Sequence, residues 1–294
     1  MASQRYKQTG GNGVNITELQ QQFSSIVKIK KGGQKVVYSA ITNEGLPVAL
    51  KIIYDSTDPR VLQEIDLVKG LELSNIPKII ASGIITDDTI GDNVLYIVEE
   101  LVEGISLRDW INKGNKADLP TAYNILHTLL SIEIELEKKG ILHRDINPNN
   151  IILGNDNKVY LIDFGLAKQL GGVSLTQTTA LLGPFTPGYA PREQFANMKL
   201  HQDVRTDLFQ IGVTLHECCT GKNPFIHEND NILDVLERTM TIMPPVLVLS
   251  GDTKGMFSQF INMLMAKNQS QRPGTAVDAM RYLQAIKSTL DLGE

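Results

Sequence analysis

Cysteine, tryptophan, long apolar runs and an excess of positive charge are all scarce in this chain, and each shortage removes a class of explanation. Two cysteines, Cys218 and Cys219, and one tryptophan stand among 294 residues. The cysteines are adjacent in an apolar helical stretch, where neighbouring side chains point to different sides; this argues against a disulfide or a thiolate metal site and for two small core side chains. No apolar stretch approaches the roughly 18 residues of a membrane helix, and the polar opening from Met1 to Asn15 has no leader-type apolar core, so a cytoplasmic protein is expected. With a net charge of −5, the chain is expected to have neither nucleic acid nor a membrane as its partner. What is present, 42% hydrophobic and 21% charged residues, is enough for one sizeable core or two lobes.

The densest chemistry lies in His143-Arg144-Asp145-Ile146-Asn147-Pro148-Asn149-Asn150, followed 18 residues after Asp145 by Asp163-Phe164-Gly165. Asp145 can accept or orient the proton of an attacking hydroxyl. Asn150 and Asp163 offer hard oxygen ligands of the kind magnesium takes while keeping waters and phosphates as its other ligands. Together they form a phosphoryl-transfer constellation. Asp163 follows the apolar run Val159-Tyr160-Leu161-Ile162, which places it at a strand end, and Gly165 leaves the backbone free to turn.

A third element lies upstream. Val48-Ala49-Leu50-Lys51 reads as a strand ending in a lysine whose ammonium suits α- and β-phosphates. Val61, Ile65, Val68 and Leu71 trace a helical stripe, with Glu64 beside it as the preferred counter-ion of Lys51 and Glu72 as the alternative. Another helix is expected over residues 120–139, with Ile125, Leu129, Ile132 and Leu136 on one face, Pro120 at its start and Gly140 just beyond it. Thr17 with Gln20 suggests a capping box.

In that order, these residues resemble a eukaryotic-type protein kinase over nearly the whole chain: glycine-containing loop, strand lysine, helix glutamate, catalytic loop and Asp-Phe-Gly. Thr186-Pro187-Gly188-Tyr189-Ala190-Pro191-Arg192-Glu193 resembles the end of an activation segment, Arg205-Thr206-Asp207 the start of the large lobe's buried helix, and Gln271-Arg272-Pro273 its closing arginine motif. The resemblance implies an α+β bilobal fold: a flexible arm over residues 1–14, a β-rich N-lobe with one main helix over 15–101, a mainly helical C-lobe over 102–290 and a tail over 291–294. It implies ATP and Mg2+ as cofactors and a protein hydroxyl as acceptor. Lys51 would hold phosphates, Asp145 would act as base and orienter, and Asn150 and Asp163 would hold the metal. Ile29, Gly32, Gly33, Val37, Ala49, Glu64, Glu100, Val102 and Ile152 would complete the nucleotide site, with backbone groups of Glu100 and Val102 on adenine. Glu193 would pair with Arg272, and Asp207 would anchor the catalytic loop.

The departures from the family pattern bear on activity. Lys30 and Lys35 replace the first and third glycines of the phosphate loop, which stiffens it and adds charge. Asn147 stands where serine/threonine kinases carry a lysine that meets the transferring phosphate; it is a third catalytic-loop candidate that keeps a donor without the charge. Glu99 occupies the gatekeeper position behind adenine, where a buried carboxylate requires a partner that the sequence does not name. Thr186 favours serine/threonine acceptors. Arg144 suggests an autophosphorylated activation segment, with Ser174, Thr176, Thr178 and Thr179 as candidates. A nucleotide-binding pseudokinase is the alternative favoured by Asn147 and the altered loop; a small-molecule kinase is disfavoured by the segment Thr186–Glu193 and by Asp207 and Arg272.

Overall fold

The computed structural model describes residues 19–31, 35–54, 65, 69–70, 73–87, 91–163 and 185–293. The described residues up to Val102 form one unit and those from Glu103 onward a second. The arm expected over residues 1–14, Thr17 of the expected capping box and the helix residues Val61, Glu64, Val68, Leu71 and Glu72 lie outside the described residues.

In the first unit a short 3-10 turn, Leu19–Gln22, leads into β1 (Phe23–Lys31), β2 (Lys35–Thr42), β3 (Pro47–Ile53), β4 (Ile79–Asp87) and β5 (Asp92–Glu100). All neighbours pair antiparallel in the order β1-β2-β3-β5-β4. Successive side chains alternate across a strand, so β2 buries Val36, Tyr38 and Ala40 on one face. They join Phe23, Leu50, Ile52 and Val98 in an apolar core, where each fully buried large side chain contributes about 1.5–3 kcal/mol. The opposite face has another composition: Val37 lies across from Lys51, Lys51 from Ile97, and Ala49 from Glu99. The β2–β3 hairpin turns through Gly45 at φ +85, with its N–H on the Thr42 carbonyl at 2.9 Å. Ile65, in the expected Glu64 helix, is fully buried.

The second unit opens with β6 (Gly104–Ser106), α1 (Leu107–Asn112) and α2 (Leu119–Lys138). Helix α2 begins where Asp118 accepts the Thr121 N–H at 3.0 Å, holds proline in its first turn, and buries Ile125, Leu129, Ile132 and Leu136. β7 (Ile151–Gly154) and β8 (Val159–Leu161) pair with β6 in a small antiparallel sheet ordered β6-β7-β8. Then come α3 (Arg192–Phe195), α4 (Val204–Thr220), α5 (Ile232–Thr241), α6 (Met256–Leu264) and α7 (Ala276–Ile286). Fifteen of the 17 residues of α4 are buried, so this helix is the axis on which the unit packs. Gly212 permits that packing: a Cβ there would come within 2.8 Å of the Met265 side chain. Among the described residues no helix is long and apolar enough to cross a membrane.

Candidate active site

Residues 141–147 form no regular element, so their backbone groups need partners from elsewhere. Helix α4 supplies them. Asp207, Gln210 and Thr214 recur at helical spacing and form one polar stripe on a helix otherwise rich in apolar residues. The Asp207 carboxylate accepts the N–H of His143 at 2.8 Å and of Arg144 at 2.7 Å. Gln210 accepts the Ile146 N–H at 2.7 Å and donates to the Arg144 carbonyl at 3.1 Å, and Gln194 donates to that carbonyl at 2.7 Å. Arg144 therefore holds φ at +63, a conformation uncommon for a residue with a side chain, because both its backbone groups are anchored. Burial pushes the Asp207 carboxyl up to about 6, against the pull of those two N–H donors.

That frame positions Asp145. The Asp145 carboxylate accepts the Thr186 hydroxyl at 2.5 Å on one oxygen and the Asn150 amide at 2.9 Å on the other. The Asn150 amide nitrogen also reaches the Asp145 carbonyl at 2.8 Å, which turns its side-chain oxygen toward other ligands. The Ile162 N–H donates to the Asn150 carbonyl at 2.8 Å, bringing Asp163 next to Asn150 in space, and Asp163 turns away from β8 at φ +62. An amide oxygen and a carboxylate, carried by segments joined through that backbone bond, are hard donors of the kind that suits magnesium with its waters and phosphates retained. His143 is fully buried; its Nε2 lies 3.2 Å from the Ile162 carbonyl and its Nδ1 accepts the Asp145 N–H at 3.3 Å, so it joins the two segments.

Asn147 is engaged differently from the expectation of a donor facing phosphate. Its side chain is buried within its own loop: the amide nitrogen donates to the Asp145 carbonyl at 2.9 Å, and the oxygen accepts from the Asn149 N–H at 3.0 Å and side chain at 3.1 Å. It caps the 3-10 turn Pro148–Asn150 that delivers Asn150. Ile152 lies in β7 opposite Ser106 and Tyr160.

The first unit carries the other half of the expected residues. Lys51, Ala49 and Val37 share one sheet face, and Glu99, left without a partner by the sequence, forms a buried ion pair with Lys51. The preferred partner, Glu64, lies outside the described residues. The Glu100 N–H bonds the Lys78 carbonyl at 3.0 Å and its carboxylate accepts the Lys78 N–H at 3.1 Å. Val102 is half-buried between strands, and Ile29 is exposed on β1 beside a register shift between Lys28 and Lys30. Lys30 and Lys35 sit in β1 and β2; Gly32, Gly33, Phe164, Gly165, Ser174, Thr176, Thr178 and Thr179 lie outside the described residues.

Two buried clusters brace the segment after Thr186. The Arg272 guanidinium bonds Glu193 at 2.5 Å, with the Ala266 and Arg205 carbonyls at 2.8 and 2.9 Å. Tyr189 donates to Glu217, which also pairs with Arg108 at 2.6 Å, and Arg108 bonds the Tyr189 oxygen at 2.5 Å. Glu217 continues the α4 stripe. The sequence reading singled out Asp207 but missed Gln194, Gln210, Thr214 and Glu217; the signal for the last three was polar residues at helical spacing in an apolar helix.

A profile of the protein kinase domain matches residues 23–284. The serine/threonine-protein kinase PknL of Mycobacterium tuberculosis is 28% identical over 273 residues, which cover 91% of this chain and 66% of that protein. A probable serine/threonine-protein kinase of Streptomyces coelicolor is 35% identical over 212 residues, covering 68% of this chain and 30% of its own length. The probable serine/threonine-protein kinase PknB of Lactococcus lactis is 30% identical over 197 residues, covering 67% and 30%. The chain thus spans less than two thirds of the length of these relatives.

Proposed function

The chain belongs to the protein kinase family, and from that premise we propose that it transfers the γ-phosphate of ATP, taken as its magnesium complex, to serine and threonine hydroxyls of protein substrates. The observation that carries this reading is the Asp145 carboxylate held between the Thr186 hydroxyl and the Asn150 amide, with Asp163 brought alongside. A carboxylate fixed on both oxygens is aimed before substrate arrives, and positioning supplies much of the catalysis in this chemistry. Asp145 orients the acceptor hydroxyl and takes up its proton; Lys51 binds the α- and β-phosphates; Asn150 and Asp163 hold the metal. Magnesium, when bound, draws charge from the phosphate oxygens. Serine and threonine acceptors are favoured by Thr186 beside the base and by the likeness to serine/threonine-protein kinases. The ATP that this reaction needs supports a cytoplasmic location.

Autophosphorylation of the activation segment is part of the proposal. Arg144 holds a buried Nε with no hydrogen-bond partner among the described residues, a donor of the kind a phosphorylated side chain satisfies. The second reading, a nucleotide-binding pseudokinase, is favoured by Asn147, whose amide is committed to its own loop.

Purified protein incubated with ATP and magnesium, with phosphate counted by intact mass, tests the proposal. Incorporation that disappears in both Asp145→Asn and Lys51→Met is the expected result, and peptide mapping then locates the acceptor. Nucleotide binding without incorporation on itself or on generic protein substrates would favour the pseudokinase.

A further inference from the structure

Lys51 and Glu99 sit on adjacent, hydrogen-bonded strands. Lys51 is opposite Ile97 and Glu99 opposite Ala49, so the two side chains lie diagonally on one face of the sheet, where long side chains meet. Their charged groups form an ion pair, with side-chain exposures of 7% and 9%. The other sheet face carries the apolar core, so both charged groups stay on this face. A carboxylate oxygen and a phosphate oxygen ask the same thing of an ammonium: a charge-assisted hydrogen bond from one of its three donors.

We propose that Glu99 is an internal competitor of the nucleotide phosphates for Lys51, a positioning residue that sets ATP affinity by holding the lysine against the sheet. The proposal rests on the assignment of Lys51 to phosphate binding. The physical argument has two parts. The buried carboxylate already satisfies the charge of Lys51, so an arriving phosphate gains less than it would from an uncompensated ammonium. Its negative charge also stands near the phosphate-binding end of β3 and opposes further negative charge in a site of low dielectric. The sheet register brings both side chains to one face, so their contact needs no rearrangement of the strands.

The test separates phosphate recognition from general damage to the site. ATP, ADP and adenosine are titrated calorimetrically into the wild type, Glu99→Gln and Glu99→Met, with melting curves to establish that each variant is folded. Glu99→Gln keeps the shape and removes the charge; Glu99→Met supplies an apolar alternative should the amide fail to fold. The expected result is ATP and ADP binding tighter by roughly tenfold relative to adenosine in both variants, the scale of one close charge contact; a shift common to all three ligands reports the place of Glu99 behind adenine and cancels in that ratio. Adding Lys51→Met is expected to abolish the gain. An ATP-to-adenosine affinity ratio that is unchanged or lowered, or a gain in that ratio that survives Lys51→Met, would each overturn the proposal. The readout is binding alone: a chain that binds ATP and shows the shift but transfers no phosphate defeats the kinase reading and leaves Glu99 as the competitor. If the wild type binds no ATP, binding restored by Glu99→Gln supports the proposal and its continued absence overturns it.

Discussion

The two units hold their charged groups by opposite means. In the first, Lys51 and Glu99 are placed by strand register, and one buried ion pair links them on a face whose reverse side is apolar core. In the second, Asp145 stands in an irregular loop whose position depends on side chains: Asp207, Gln210 and Gln194 bond its backbone, while Thr186 and Asn150 bond its carboxylate. Backbone hydrogen bonds that a strand obtains from its neighbours must be provided for the loop by buried polar residues. The first unit should therefore tolerate apolar replacement of its charges better than the second.

The largest expected difference is in stability. Arg272 and Glu193 have side-chain exposures of 1% and 7% and hold the segment after Thr186 to α4 and the chain beyond α6. Removing one partner of such a pair leaves a buried charge, so Arg272→Ala is expected to cost about 3–5 kcal/mol, measured by chemical denaturation. Lys51→Met combined with Glu99→Met removes both charges of the other pair and is expected to cost less than about 1 kcal/mol, whereas Arg272→Met combined with Glu193→Met also leaves the Ala266 and Arg205 carbonyls without their donor and is expected to cost more. Equal losses in the two double variants would break the comparison.

A smaller effect sharpens it in the opposite direction. Glu133, on α2, is fully buried, and neither of its carboxylate oxygens has a hydrogen-bond partner among the described residues. Burial raises its carboxyl well above the ordinary value, with Asp207 and Glu137 adding repulsion. Both it and Asp207 are acids raised in the folded state, so folding takes up protons. Their stabilising contribution is full below the unfolded values of 4.5 and 3.8; it is lost as pH rises, through about 6 for Asp207 and through the raised value of Glu133. The wild type should melt higher at about pH 5.5 than at about pH 7.5. Glu133→Leu should gain about 1–3 kcal/mol near neutrality and flatten that slope. A slope unchanged in Glu133→Leu would exclude Glu133 as its source.

Legibility in the sequence followed the same division. Apolar runs and stripes were readable: the run Val48-Ala49-Leu50-Lys51 falls in β3, and the stripe Ile125, Leu129, Ile132, Leu136 is buried in α2. Of the residues proposed to carry the chemistry, Asp145 and Asn150 are hydrogen-bonded to each other, and Asp163 follows Ile162, whose N–H bonds Asn150. The partner of Glu99 was not readable, because it depends on the β3–β5 register, a pairing across nearly fifty residues that no local pattern encodes. Nor was the engagement of Asn147: its chemistry allows a donor to phosphate, but loop geometry turns both ends of the amide inward. Helix α4 carried a usable signal in its polar stripe, obscured by the assumption that buried helix residues are apolar.

Asn147 supplies the smallest expected effect and the most local one. If its amide serves as the cap of the turn Pro148–Asn150, any replacement lacking a matching acceptor should loosen Asn150. Asn147→Ala is therefore expected to lose about 1 kcal/mol of stability, the usual scale for a cap. It should also lower phosphate transfer by displacing the amide that holds Asp145. Asn147→Lys loses the same cap and introduces an ammonium at a buried position, so its melting temperature should lie at or below that of Asn147→Ala. Any excess of its kcat over that of the alanine variant then measures what the missing charge contributes at the transferring phosphate. Equal kcat values in the two variants would mean that the loop does not direct a side chain at this position toward the phosphate. Wild-type stability in both would show that the Asn147 bonds are dispensable, and the capping role would fall with them.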